Sequence, residues 1–76
     1  MILEKGRVCR KVRGRDAGDY CVVLKEPEGN KVMVDGKKVK RGEVSIRHLE
    51  PLPVVLKIRK GSKTETIVKA LEKEGF

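Results

Sequence analysis

Aromatic side chains are almost missing from this chain: its 76 residues include no Trp, one Tyr and one Phe, 3% of the total. A core of stacked rings is excluded, so Val, Ile and Leu must supply nearly all of the apolar area. A chain this short buries only about 60–65% of the surface that its unfolded form exposes, and the core is correspondingly small. No run approaches the roughly 20 apolar residues that a membrane-crossing helix needs. The opening "MILEKGRV" turns charged too early for a secretory leader, and the protein is expected in the cytosol. Cys9 and Cys21 are the two cysteines. Without His or Asp at ligand spacing they make no metal site, and in a reducing compartment they are expected to be small, buried, unpaired residues. The lack of Gln and the single Asn, against abundant Lys and Glu, point faintly to a heat-adapted source.

What the chain has in plenty is positive charge. Nineteen Lys and Arg against eleven Asp and Glu give a formal charge of +8 and a pI near 9.8. Such a field on so small a body draws in polyanions. No amphipathic helix with a bulky apolar face accompanies it, which favours nucleic acid over a membrane surface.

The apolar pattern predicts five short strands. "RVCRKV" at 7–12 mixes apolar and basic residues without strict alternation, as in a strand with a bulge or strong bend. "YCVVLK" at 20–25 is the clearest strand, continuous and β-branched, between Gly18 and Pro27. "KVMVD" at 31–35 alternates, with Val32 and Val34 on one face, and completes an antiparallel meander. A fourth strand is expected in "EVSIRHLEP", with Val44, Ile46 and His48 on one face and Pro51 ending it. A fifth is expected over 54–60, where Val54, Leu56 and Ile58 point one way and Val55, Lys57 and Arg59 the other. Between the third and fourth, "DGKKVKRG" starts as a turn and holds four basic residues in positions 37–41, a run that reads as too charged for the core.

The period then changes. Ser62 and Glu65 have the spacing of a capping box, Ile67, Ala70 and Leu71 share a helical face, Glu65 and Lys69 are placed to pair, and Gly75 is placed as a left-handed stop. This predicts a helix over about 63–74, too short to stand alone and therefore packed on the sheet. Five short strands would leave open edges unless closed. The expected fold is mainly β: one domain over 1–76, with a five-stranded SH3-like barrel over about 5–60 and a C-terminal α-helix.

The stretch from Gly6 to Gly36, "GRVCRKVRGRDAGDYCVVLKEPEGNKVMVDG", resembles a KOW motif, with Gly18 at the place of that motif's loop glycine. The opening "LEKGRVCRKVRGRDAGDYCVV", the later "IRHLEPLP", a Lys-rich strand and a terminal helix follow in the same order as in the archaeal L-fourteen-e family of large-subunit ribosomal proteins, and the likeness spans essentially the whole chain. The resemblance implies a structural ribosomal protein bound to large-subunit RNA beside neighbouring ribosomal proteins, with no enzymatic activity. A second reading, of a different class, is the KOW-type protein-interaction module of a transcription elongation factor. That would need a contiguous exposed apolar patch, and little beyond Met33, Leu52 and Val55 is available for one.

Read from the residues alone, the RNA-binding candidates are Lys5, Arg7, Arg10, Lys11, Arg13 and Arg15, a stretch with no carboxylate, together with Lys37, Lys38, Lys40, Arg41 and Arg47. Arginine adds a planar fork that grips two phosphate oxygens or stacks on a base. If strands one and four lie close, these residues form one basic flank. Gly14 and Gly18 would set the loop between the first two strands, with Arg13 and Arg15 facing phosphates and Asp16 and Asp19 capping local amides. The bland alternative is that the two aspartates pair with those arginines at the surface. Tyr20 is the sole stacking candidate beside a core or rim role, so shape and phosphates of folded RNA are the expected target. His48 reads as structural, and no nucleophile, base and orienting group fall together. No enzyme, cofactor, metal or small-molecule substrate is expected.

Overall fold

A computed structural model describes residues 3–59 and 61–76. Within them, β1 (Arg7–Lys11), β2 (Tyr20–Val23), β3 (Lys31–Asp35), β4 (Gly42–Ser45) and β5 (Leu49–Val55) form one antiparallel sheet in the order β4-β3-β2-β1-β5, followed by α1 (Thr64–Lys73). This is the expected SH3-like barrel with a C-terminal helix. Its closure is visible in the connection between the two outermost strands. A single 3-10 turn at Ile46–His48 joins β4 to β5, its Ile46 N–H donating to Asn30 O at 2.9 Å and its His48 O accepting from Val12 N–H at 2.8 Å. The turn thereby reaches the β3 side and the β1 side at once, bringing the sheet's two ends together.

The continuity of "YCVV" has a direct cause: both faces of β2 are covered. Cys9, Cys21, Val23, Val32, Val34 and Leu49 make an inner cluster. Val8 and Val22, which point the other way from the same strands, join Leu56, Ile67 and Leu71 of the helix in an outer cluster. A strand buried on both sides reads as an unbroken apolar run rather than an alternating one. Ile67 and Leu71 are at most 1% exposed, so α1 is a lid on the barrel, as its apolar stripe requires. Cys9 lies opposite Cys21 across the β1–β2 pair, and both are free, fully buried thiols. Burial pushes Cys9 up to about 11 and Cys21 to about 12, so both are neutral at ordinary pH.

Four sequence expectations give way. The fourth strand does not run on through Ile46 and His48, because the chain turns there to close the barrel. Pro51 does not end a strand: it and Pro53 lie within β5, which needs no ladder donor from them at the outer end of the sheet. The fifth strand is shifted toward the N-terminus, sharing only Val54 and Val55 with the expected span; residues 56–59 are irregular, and Lys60 lies outside the described residues. Their in-and-out alternation nonetheless holds, with Leu56 buried, Val54 and Ile58 packed on the outer cluster, and Val55, Lys57 and Arg59 exposed. Finally, Val39, in the middle of the basic run, is 2% exposed and belongs to the inner core.

The bulge expected in strand one lies instead on the strand it pairs with, β5. Arg7 opposes Val55 while Cys9 opposes Pro51, so the additional residues lie on β5. The close approach just before it needs a glycine. Gly6 has φ +93, donates to Val23 O at 2.8 Å and accepts from Leu56 N–H at 2.7 Å, and a Cβ there would stand 2.1 Å from Leu56 O. Gly18 has a similar φ of +94 but open space around it. Gly18→Ala is therefore expected to cost about 1 kcal/mol, from backbone strain alone. Gly6→Ala should cost about 3 kcal/mol or more, since strain is joined by a backbone clash. Urea denaturation midpoints check this ordering, which equal midpoints for the two variants would contradict.

Candidate nucleic-acid interface

The cations of this fold divide by what surrounds them, and the division starts at Asp35. Its carboxylate is buried at the end of β3 and accepts from the Gly36 N–H at 2.9 Å, Arg41 Nε at 2.9 Å and the Thr64 hydroxyl at 2.6 Å. Arg41 also donates to Ser62 O. One carboxylate thus ties the loop over 36–41 to the start of α1. A capping box does not form: the N-cap is Lys63 without a side-chain cap, and the Ser62 hydroxyl instead donates to Arg59 O and accepts from Arg59 N–H. The reason is tertiary, since the helix start is held by Thr64 on Asp35. Glu65 and Lys69, both exposed, do not form the expected ion pair.

Two other predicted cations are also engaged within the fold. Arg7 is largely buried, pairs with Glu4 and donates to Leu52 O at 3.0 Å. Lys11 is buried with its ammonium 3.8 Å from Asp16. Arg10 lies 3.5 Å from Glu50, both half-exposed, a surface pair of small energetic weight. Lys37 meets Glu72 of α1 at 3.0 Å. Apart from Glu4, which is at i,i+3 from Arg7, these carboxylates lie farther along the chain from their partners, so a local reading of charge could not find them.

The loop between β1 and β2 is shaped by backbone bonds. Ala17 N–H donates to Gly14 O at 3.2 Å, Asp19 N–H to Asp16 O at 3.0 Å, Gly18 N–H to Lys11 O at 2.6 Å and Lys11 N–H to Asp19 O at 2.9 Å, with Gly14 and Gly18 at positive φ. Both glycines thus stand in the left-handed region within this loop. Asp16 and Asp19 do not cap amides, however, and neither pairs with Arg13 or Arg15; Asp16 faces Lys11 instead. Arg13 and Arg15 are left exposed and in no ion pair among the described residues.

The expected flank through strands one and four is not built as expected, because these strands are separated by β2 and β3 on one side and by β5 on the other. The basic groups meet by other routes. Lys37 and Lys38 share a cavity with Gly18 and Asp19 at the end of the β1–β2 loop. The bond from Val12 to His48 sets Arg47, exposed on the 3-10 turn, near the root of the same loop beside Arg13. Lys5 and Arg41 line a separate groove with Leu24 and Met33, where Lys25 adds a cation that the sequence reading passed over. Lys40 is exposed on the loop between these two regions. Lys5, Arg13, Arg15, Lys38, Lys40 and Arg47 are all exposed and unpaired among the described residues. No group of three or more His, Cys, Asp or Glu that could hold a metal occurs among those residues.

The fold and its charged loops define the chain as a small basic protein of SH3-like barrel type, and comparison with known proteins narrows it. No family model matches. The chain is 44% identical over 97% of its length to large ribosomal subunit protein eL14 of Saccharolobus solfataricus, and covers 81% of that protein. The eL14 proteins of Saccharolobus islandicus and Hyperthermus butylicus are 43% and 42% identical over 97% of the chain, which covers 81% and 80% of them. The chain belongs to the archaeal eL14 family of large ribosomal subunit proteins, the family its sequence resembles.

The contacts of Asp35 lead to a stability prediction. Asp35→Ala removes three hydrogen bonds and the link between the 36–41 loop and α1, and should cost about 2–3 kcal/mol. Amide exchange should accelerate throughout α1 before it does in β1 and β2. Uniform protection in the variant and the wild type would rule out this anchoring role.

Proposed function

We propose that this chain serves translation as a structural constituent of the large ribosomal subunit, holding ribosomal RNA by phosphate contacts from the exposed loop cations and lying beside neighbouring ribosomal proteins. The carrying observation is membership of the eL14 family over almost the whole chain. The physical support is the set of unpaired cations. Lys5, Arg13, Arg15, Lys38, Lys40 and Arg47 have no internal carboxylate to satisfy, and an exposed cation is free to displace counterions from a phosphate backbone. Arg10 and Lys37, in exposed pairs, can exchange a weak partner for a phosphate at small cost. Arg7, Lys11 and Arg41 add to the positive field while their atoms serve the fold. The protein is placed by this reading on cytoplasmic ribosomes, with a binding rather than a catalytic role.

The elongation-factor alternative receives less support. Among the described residues the large exposed apolar side chains are three, Val12, Tyr20 and Val55, each on a different segment of the chain.

Sedimentation and salt titration test the proposal together. The protein should travel with large subunits in a sucrose gradient. Its affinity for large-subunit RNA should fall with salt at a log-log slope on the order of −4, for about five phosphate contacts. Arg13→Ala with Arg15→Ala should reduce that slope by about 1–2 at an unchanged melting temperature. Recovery only in the free fraction, or a salt-independent affinity, would refute the proposal.

A further inference from the structure

The two aromatic residues of the chain lie together at the rim of the outer core, against which Phe76 packs. Tyr20 and Phe76 have ring centroids 4.7 Å apart at 51°, and Tyr20 is 37% exposed. Phe76 is held in place by the end of α1. Gly75, at φ +88, turns the chain back so that Gly75 N–H donates to Glu72 O at 3.0 Å and Phe76 N–H to Leu71 O at 2.9 Å. This is the Schellman pattern, in which the residue after the glycine packs on the helix's last turn. The ring pair forms one side of a cavity of about 240 Å³. Gly18 and Asp19, from the β1–β2 loop, and Lys37 and Lys38 complete its walls.

We propose that this cavity receives one unstacked RNA base, resting against the Tyr20 ring, with the adjoining phosphates on Lys38 and the arginines of the β1–β2 loop. The inference rests on the RNA-binding reading and assigns it a particular base-holding site. Three features select a base over a bare phosphate. An aromatic surface is already exposed and positioned, and any base has a π-face that can stack on it. Asp19 in the wall opposes an anion deep in the cavity. Of the two lysines, Lys37 faces Glu72 at 3.0 Å, whereas Lys38 is in no ion pair among the described residues and meets a phosphate at the rim without first giving up a partner. Folded RNA commonly presents such splayed bases in loops and bulges.

Tyr20 is the sole tyrosine in a chain without Trp, so its fluorescence reports on this site alone. The full chain is titrated with a single-stranded adenylate decanucleotide and with an abasic strand carrying the same number of phosphates. The adenylate strand should quench Tyr20 emission and bind roughly tenfold more tightly than the abasic one, the range expected for stacking one base. Tyr20→Leu should remove that preference while keeping the salt slope, and Tyr20→Phe should retain it. Equal affinity of the wild type for both strands, with the salt slope intact, would overturn the base site and leave phosphate binding standing. Failure to bind either strand or large-subunit RNA would overturn both. The comparison of two strands on the wild type needs no variant to fold.

Discussion

A single buried carboxylate organises this molecule. Asp35 ends β3 inside the fold, where a lone charge would be expensive, and it is satisfied from three directions by Gly36, Arg41 and Thr64. A buried charge of this kind adds little net stability over an apolar replacement, but it fixes geometry, because only one arrangement of loop and helix supplies all its partners. The helix begins where Thr64 meets it, and Ile67 and Leu71 then fall over Val8, Val22 and Leu56. Gly36 is confined by the same corner: a Cβ there would stand 2.5 Å from Tyr20 O.

Asp35 also bears on how the surplus of positive charge is divided. Arg41 is drawn inward toward it, as Arg7 is drawn toward Glu4 and Leu52 O and Lys11 toward Asp16. Among the unpaired cations of the described residues, Lys31 lies on β3 and Lys69 and Lys73 on α1, while five of the sequence-predicted ones lie on turns: Arg13 and Arg15 between β1 and β2, Lys38 and Lys40 between β3 and β4, Arg47 on the 3-10 turn. On the proposed function, charges carried on turns of a closed barrel meet a polyanion whose phosphates are spaced by their own backbone. The barrel closure brings Arg47 toward the root of the arginine loop, through the bond from Val12 N–H to His48 O.

The strands, the lid helix and both loop glycines were legible because each leaves a local mark: β-branched runs, a change of period near residue 62, glycine where φ must be positive. The outward face of the irregular segment over 55–59 was legible for the same reason. What the sequence concealed was tertiary. The 3-10 turn at Ile46–His48 exists to close the barrel, and β5 accepts Pro51 and Pro53 because of where it lies in the sheet. Val39 is core despite its charged neighbours because the side chains at 37, 38, 40 and 41 leave the loop in other directions. Asp35 read as the end of a strand and the start of a turn, and nothing local marked the ring contact of Phe76, since neither Thr64 nor Tyr20 is near them in sequence. For the candidate interface, composition and the carboxylate-free run were enough to find the cations, and not enough to tell which of them the fold keeps for itself.

Arg41 separates the two groups of cations most sharply, because by sequence it falls with the RNA contacts while the structure ties it to Asp35 and Ser62 O. The measurement is the thermal melting temperature and the affinity for large-subunit RNA of Arg41→Ala, each taken on the same preparation and set beside Arg13→Ala. The account predicts a lowered melting temperature for Arg41→Ala with affinity within about twofold of wild type at a temperature where it is folded, the loss of about one peripheral charge. An unchanged melting temperature together with an affinity loss as large as that of Arg13→Ala would contradict it.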